Sequence, residues 1–425
     1  MPRLLADLTP LRASRDFRRM WAGLSLAGIG TQLTNVAVGL QVYDLTRSTF
    51  SVGLVGLFAV VPLVVLGLLG GSLVDAFDRR RIALVASTGS WAVAVAVMTQ
   101  AFAEVGSVWL LYGLVAAQNA CFAVTSPART AIVPNLLARE LLPAANALQN
   151  LAMNIGLTVG PLLAGLLVSG VGYGWAYAVD AVTLGVAVLT LAGLPPMPPQ
   201  GEVRRAGLRS VAEGLRFLRT RPNVRMTFLA DLAAMVLAQP RVLFPAVGAA
   251  VLGGGATTVG VLLSAGAVGS ILAGVLSGPL GHVHRQGLAV LVSVAAWGVS
   301  VVGFGAVLVL AGGRPPTGAG ATWLLWPAAG CLAAAGAADA VSSVFRTTIL
   351  QAATPDAMRG RLQGVFIVVV AGGPRLGDVV LGAGAEVSTE AVAAVVGGLA
   401  CIVVVLLLAR AQPAFARYDA REPTP

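Results

Sequence analysis

Apolar residues in this chain come in long blocks, not in alternation. Val52 to Leu69 carries no charged residue, the stretch GSLVDAFDRRR from Gly71 to Arg81 then packs two acids and three arginines together, and a second apolar block begins at Ile82. About 20 mostly apolar residues at 1.5 Å rise each match the hydrocarbon thickness of a bilayer. The pattern recurs and predicts twelve helical spans, centred near Gln32, Val61, Val93, Gln118, Thr158, Leu184, Val236, Ala267, Val301, Ala335, Gly373 and Leu399. Glycine and proline inside such spans are tolerated, because neighbouring helices satisfy the freed backbone groups.

One connection is longer than the rest. From Pro195 to Asn223 the chain reads first as a stiff polar linker, PPMPPQGE, and then as GLRSVAEGLRFLRT. Leu208, Val211, Leu215 and Leu218 recur at helical spacing with Arg209, Glu213, Arg216 and Arg219 elsewhere, which predicts an amphipathic helix at the membrane surface. On either side of this linker the sequence repeats. At a shift of about 207 residues SVGL at Ser51 falls on TVGV at Thr258, and Gly71-x-Leu73 falls on Gly278-x-Leu280, with Asp75 opposite His282. At a shift of 217, Arg129-Thr130-x-Ile132 meets Arg346-Thr347-x-Ile349, and Gly156, Gly160 and Gly165 meet Gly373, Gly377 and Gly382. The expected fold is an all-α polytopic membrane protein with twelve transmembrane helices in two pseudo-symmetric six-helix halves: 1–194, a cytoplasmic linker at 195–223, 224–411, and a tail at 412–425.

Composition agrees with the pattern: 57% of the 425 residues are hydrophobic and 11% charged, with a mean hydropathy of +0.86, which no soluble surface tolerates. The net charge of +10 changes the picture only through its distribution. Arginines gather before the first span, in every second gap and after the last span, whereas the alternate gaps hold few, so the positive-inside rule places both termini in the cytoplasm. That arrangement speaks against a nucleic-acid partner. Cys121, Cys331 and Cys401 lie within apolar spans without paired spacing and indicate neither disulfide nor metal. No Gly-Lys-Ser phosphate loop is present, which excludes ATP as the energy source, and no acid, base and nucleophile set marks an enzyme or a cofactor site.

An ionisable group within a span costs roughly 2.5 to 3.5 kcal/mol on insertion scales, so each must face a cavity or a partner. The candidates are Asp180, Asp231, Arg241, Asp339, Arg375 and Asp378, with Asp44 and Glu386 near the ends of spans. Asp231 and Arg241 are ten residues apart, too far along a helix to pair, whereas Arg375 and Asp378 have the i,i+3 spacing that permits pairing. Gln32, Asn35, Gln118, Asn119, Gln149 and Asn154 are polar groups able to hydrogen-bond either a ligand or a neighbouring helix. Gly156-x-x-x-Gly160-Pro161-x-x-x-Gly165 puts glycines on one face for close helix packing, and Pro161 removes a backbone donor.

Two repeated halves, the charged gap and this glycine-proline helix together resemble the major facilitator superfamily of transporters. Its gap signature, Gly-x-Leu-x-Asp-Arg-x-Gly-Arg-Arg, is matched by Gly71, Leu73, Asp75, Arg79 and Arg80, with Ala76 and Asp78 departing from it. In that superfamily the stretch acts as a conformational latch, and a pattern similar to Gly156–Gly165 marks drug-proton antiporters. SPARTAIVPNLLARELLPAANAL from Ser126, RVLFPA from Arg241 and TPDAMRGRLQGVF from Thr354 are similar to the bacterial enterobactin (siderophore) exporter and drug-efflux branch. The resemblance implies a monomeric inner-membrane transporter that moves a siderophore or drug-like small molecule outward by proton antiport and alternating access. Asp231, Asp339 and Asp378 then stand as proton-coupling candidates, since the seventh, tenth and eleventh helices line the central cavity there, and Arg241 and Arg375 as substrate or charge partners. A broad multidrug pump, a proton-coupled importer and a non-transporting receptor or scaffold are the rival readings.

Overall fold

The computed structural model describes residues 7–76, 78–197, 216–278, 280, 283–312, 322–353, 356–419 and 421; their side chains are described except at 67–76, 139, 322, 351, 356–368, 370 and 371. Helix is the only regular structure among these residues. After a single turn at Thr9–Ala13, the long helices are α1 Arg15–Thr46, α2 Thr49–Ala76, α3 Arg79–Phe102, α4 Val108–Leu136, α5 Leu142–Val171, α6 Tyr173–Ala192 and α7 Pro222–Leu237. They continue as α8 Gly255–Val275, α9 Gln286–Leu310, α10 Leu325–Ala352, α11 Asp356–Val387 and α12 Glu390–Ala411. Among the described residues ten stretches are long and apolar enough to cross a membrane, one of them running from α7 through to Val251. The two long helices outside that set, α1 and α11, have 32 residues each.

The helix ends follow from local chemistry. Ser107 caps α4 by accepting from the Leu110 amide at 3.3 Å, and Thr389 caps α12 by accepting from Val392 at 3.2 Å. Asp78, which replaces a glycine of the superfamily signature, does two jobs. One carboxylate oxygen accepts from the Arg81 amide at 3.0 Å and caps α3, and the other accepts from the Met197 amide at 3.0 Å. The Arg79 amide returns a bond to the Met197 carbonyl at 3.1 Å, so the gap is pinned to the chain leaving α6. Between α5 and α6 stands the single residue Gly172, whose φ of +86° only glycine adopts without strain.

The chain divides into two compact units, one of residues 1–45 with 58–207, the other of residues 46–57 with 208–425. In the first unit α3 packs on α4 and α6. Its core joins Phe17 and Met20 of α1 to Ala83 of α3, Ala128 and Ile132 of α4, and Leu148 of α5. Exposed tryptophans stand at the starts of α4 and α6, Trp109 and Trp175, as interfacial anchors do. In the second unit α9 packs on α10 and α12, and α8 packs on α10. Exposed Trp323 and Trp326 sit at the start of α10.

The glycine motifs perform the same task in both units. A Cβ on Gly160 would stand 2.6 Å from the Cβ of Gln32 and 3.1 Å from the Ile29 carbonyl, so α5 lies directly against α1. Gly377 of α11 likewise admits the Met235 carbonyl of α7. The amphipathic segment predicted through Leu208, Val211 and Leu215 lies outside the described residues, but its end does not. Leu218 is buried with Val224, Phe228 and Ala353.

Overpacking a tight helix contact costs about 1–3 kcal/mol. Gly160→Ala is therefore expected to lower the unfolding temperature of the purified protein measurably. Gly170→Ala on the same helix, where an added Cβ meets nothing within 4 Å, is expected to leave it unchanged; differential scanning fluorimetry in detergent makes the comparison.

Candidate functional site

The site lies in the second unit. α7 is regular through Leu237 and then breaks: Ala238 sits at φ −135°, ψ 35°, and Gln239 is extended. Pro240–Leu243 follows as a 3-10 turn, Phe244–Ala246 as a short α turn and Val247–Val251 as a π turn. Proline cannot continue the hydrogen-bond ladder, and a break inside a span leaves carbonyls that lipid cannot satisfy. Here the Ala238 carbonyl accepts from the buried Trp297 indole of α9 at 2.9 Å. The break divides two charged residues of one span, Asp231 before it and Arg241 after it.

Asp231 is buried and pairs with Arg346 of α10 through Nη1. The same guanidinium reaches Asp339 through Nη2 at 3.2 Å. Asp339 and Arg346 are seven residues apart, two helical turns, and therefore share a face of α10; helical side chains lean towards the N-terminus, which carries the arginine back towards the acid. Arg346 is therefore shared by two carboxylates. By sequence Arg346 is one of the arginines towards the end of a span, yet its side chain turns into the unit and is 13% exposed. Two signals in the sequence pointed to it, the i,i+7 spacing from Asp339 and its place in the repeated Arg-Thr-x-Ile motif. In the first unit the matching Arg129 donates to Ser87 of α3 at 3.2 Å instead.

These three residues line a cavity of about 160 Å³. α7 contributes Thr227, Phe228 and Met235 besides Asp231; α10 contributes Ser343, Thr347 and Leu350 besides Asp339 and Arg346; α11 contributes Pro374. Four of these ten residues are apolar, and the others bring hydroxyls and one charge cluster. Asp339 is the most open of the cluster, its side chain 37% exposed, against 9% for Asp231. A group entering the cavity meets Asp339 more readily than Asp231.

A second charge pair lies beyond the break. Arg241 grips Asp378 of α11 with both ends, Nε to Oδ1 at 3.0 Å and Nη2 to Oδ2 at 2.7 Å. The helical spacing had suggested Arg375 as the neighbour of Asp378; both carboxylate oxygens are instead occupied by Arg241, because the 3-10 turn swings that arginine off the axis of α7. Arg375 remains electrostatically coupled to both of them. The third coupling candidate, Asp378, is accordingly separate from Asp231 and Asp339.

The remaining candidates belong to the first unit. The Asn35 amide donates to Gln32 at 3.0 Å, Asn119 donates to the Val115 carbonyl of its own helix at 2.9 Å, and the Gln118 Oε1 is buried without a hydrogen-bond partner. Gln149 is half-buried and Asn154 exposed. Asp180 is buried on α6 beside the Thr31 hydroxyl of α1, at 3.5 Å. Gly71, Leu73 and Asp75 occupy the last two turns of α2, with side chains outside the described residues; Arg80 donates to the Ala192 carbonyl at 2.5 Å. Gly156 and Gly160 face α1, and Pro161 and Gly165 are buried on the same helix.

Residues 5–423 match the family model described as transmembrane secretion effector. The chain belongs to this family of major facilitator transporters. It is 30% identical over 407 residues to an enterobactin exporter of Citrobacter koseri, covering 95% of this chain and 93% of the relative. It is equally similar to enterobactin exporters of Shigella boydii and Escherichia coli. Among solved structures, a peptide transporter bound to alafosfalin superposes with a TM-score of 0.75 at 12% identity, over 96% of both chains. A bacterial homologue of the iron transporter ferroportin superposes at 0.69 and 15% identity, over 95% of this chain and 98% of that one. These likenesses establish a multi-pass transporter fold, and the protein is not an enzyme.

Removing the cation from a buried pair costs about 3–5 kcal/mol, because a carboxylate is left uncompensated. Arg346→Met is therefore expected to destabilise the transporter strongly, and Asp231→Asn in the same chain to recover part of the loss. A double-mutant cycle read by thermal unfolding checks it; additive effects would mean that the two residues do not interact.

Proposed function

We propose that this secretion-effector transporter is a proton-driven exporter of a siderophore or drug-like molecule across the inner membrane of a bacterium. It crosses the membrane twelve times in two pseudo-symmetric halves, 1–194 and 224–411, acts as a monomer and keeps both termini in the cytoplasm. The reading is carried by one observation, the sharing of Arg346 between Asp231 and Asp339 on the wall of a cavity. One guanidinium cannot fully neutralise two carboxylates, so the cluster is a place where a proton changes the pairing. When either acid takes a proton, Arg346 is drawn to the other, and α7 and α10 feel a different pull. A differential free energy of this kind lets a proton gradient bias one conformation over another. Each charge moved through 100 mV contributes about 2.3 kcal/mol.

The enterobactin exporters at 30% identity favour a siderophore as cargo. The apolar part of the wall, Phe228, Met235, Leu350 and Pro374, favours a second reading, a broad efflux pump for hydrophobic compounds, since methionine adapts to irregular ligands. Arg241 and Arg375 stand as candidate partners of an anionic cargo.

Inverted membrane vesicles separate these readings. An acidified lumen is expected to drive accumulation of enterobactin at least tenfold above vesicles without the protein, and Asp231→Asn or Asp339→Asn to remove the dependence on the gradient. Accumulation of ethidium but not of enterobactin would favour the broad pump. Failure with both compounds, or gradient-driven transport unchanged in both variants, overturns the proposal.

A further inference from the structure

In the first unit α1 lies against α6 along two glycines, Gly23 and Gly30, which are seven residues apart and so share a face of α1. A Cβ on Gly23 would stand 2.6 Å from the Thr190 hydroxyl. One on Gly30 would meet the Thr183 hydroxyl and stand 2.8 Å from Oδ1 of Asp180 and 3.0 Å from its Cα. The Asp180 carboxylate is thereby pressed onto the bare backbone of α1, and the residue is 2% exposed. Hydroxyls surround it. Thr31 donates to Oδ1 at 3.5 Å, the Thr34 hydroxyl is buried beside the same carboxylate, and Thr183 donates to the Asp180 carbonyl at 3.0 Å.

Among the described residues no cation pairs with this acid. α1 from Met20 to Tyr43, α3 from Ile82 to Phe102, the whole of α5 and, Asp180 apart, the whole of α6 contain no charged residue. Arg19 is eleven residues from Gly30, about 16 Å along the helix axis. The other titratable groups of α6 have partners of their own: Tyr173 donates to Asp44, and Tyr177 donates to Gln41 at 2.8 Å, both nearer the end of α1. An ionised carboxylate sealed among apolar helices without a counter-ion is strongly disfavoured and takes up a proton instead. A metal ion does not fit. A hard cation such as calcium takes about six or more oxygens, and the close approach at Gly30 leaves no space for one beside the carboxylate. A proton needs neither.

We propose that Asp180 is a proton-binding site of the first unit, filled while α1 and α6 are closed on each other along Gly23 and Gly30 and emptied when they part. The proton comes from water onto a carboxylate oxygen and returns to water, and no other bond is made or broken. Closing this seam then takes up one proton whatever the cargo. The inference does not rest on the Arg346 cluster, which belongs to the second unit and holds its acids with an arginine.

Infrared spectroscopy of the full-length protein in detergent reads the proton without cargo or gradient, because the carbonyl stretch of a protonated carboxylic acid stands apart from the amide bands. At neutral pH the spectrum of the wild type minus that of Asp180→Asn is expected to show this stretch for one acid; its absence overturns the proposal. In heavy water the band is expected to shift as deuterium replaces the proton whenever the seam opens. A band that does not shift overnight marks a fixed structural acid and also overturns it. Gly30→Ala is expected to speed the shift by roughly fivefold or more, since overpacking pushes α1 off α6. Size-exclusion profiles confirm folding; if that variant does not fold, Gly23→Ala, whose added Cβ meets the Thr190 side chain, takes its place with the same expectation. An unchanged rate in the folded variant overturns the proposal. Asp231→Asn and Asp339→Asn are expected to keep the Asp180 band, so failure of the coupling cluster and failure of this site are told apart.

Discussion

A charge placed within a bilayer must find a polar partner, and in the second unit the pairing of opposite charges organises the site. Arg346 meets Asp231 and Asp339 at once, and the need to satisfy both acids draws α7 and α10 to a common cavity. Two carboxylates and one guanidinium do not balance. That imbalance makes the cluster responsive: a proton, or a ligand cation, changes which partner the arginine prefers. Arg241 and Asp378, with both carboxylate oxygens gripped by the fork of one guanidinium, make a stiffer pair by construction.

The two clusters sit on one interrupted span, and the interruption is what keeps them apart. Were α7 continuous through Pro240, Arg241 would lie almost three turns along the same helix axis from Asp231. The turn after Leu237 redirects it to α11, and the backbone carbonyl that the break would leave bare is taken by Trp297. A span can be broken in a membrane only where such a partner waits. The indole is thus as much a part of the site as the charges.

Small residues set the distances. The same glycine pattern brings α5 onto α1 in one unit and α11 onto α7 in the other, so the repeat in the sequence is also a repeat of helix contacts. Cysteine follows the rule on a smaller scale: Cys121 fills the notch at Gly89 and Cys331 the notch at Gly303, with Sγ 3.0 and 3.2 Å from where a Cβ would be.

The blocks of apolar residues were enough to establish a polytopic helical membrane protein, because burial in lipid is decided residue by residue and leaves its mark on composition. The acids within the spans were legible for the same reason: Asp231, Asp339 and Asp378 stand out in apolar surroundings wherever the chain happens to fold. Their partners were not. Arg346 looked like one more basic residue at the end of a span, and Arg375 looked the natural neighbour of Asp378. Only the turn after Leu237 and the reach of Arg346 across to α7 assigned the pairs. Pairing depends on distances between segments far apart in the chain, and on where a helix stops, which proline and its surroundings decide jointly. The sequence determined which groups need a partner; the tertiary structure alone decided which partner each one has, since charge interaction falls with separation in space and takes no account of separation along the chain.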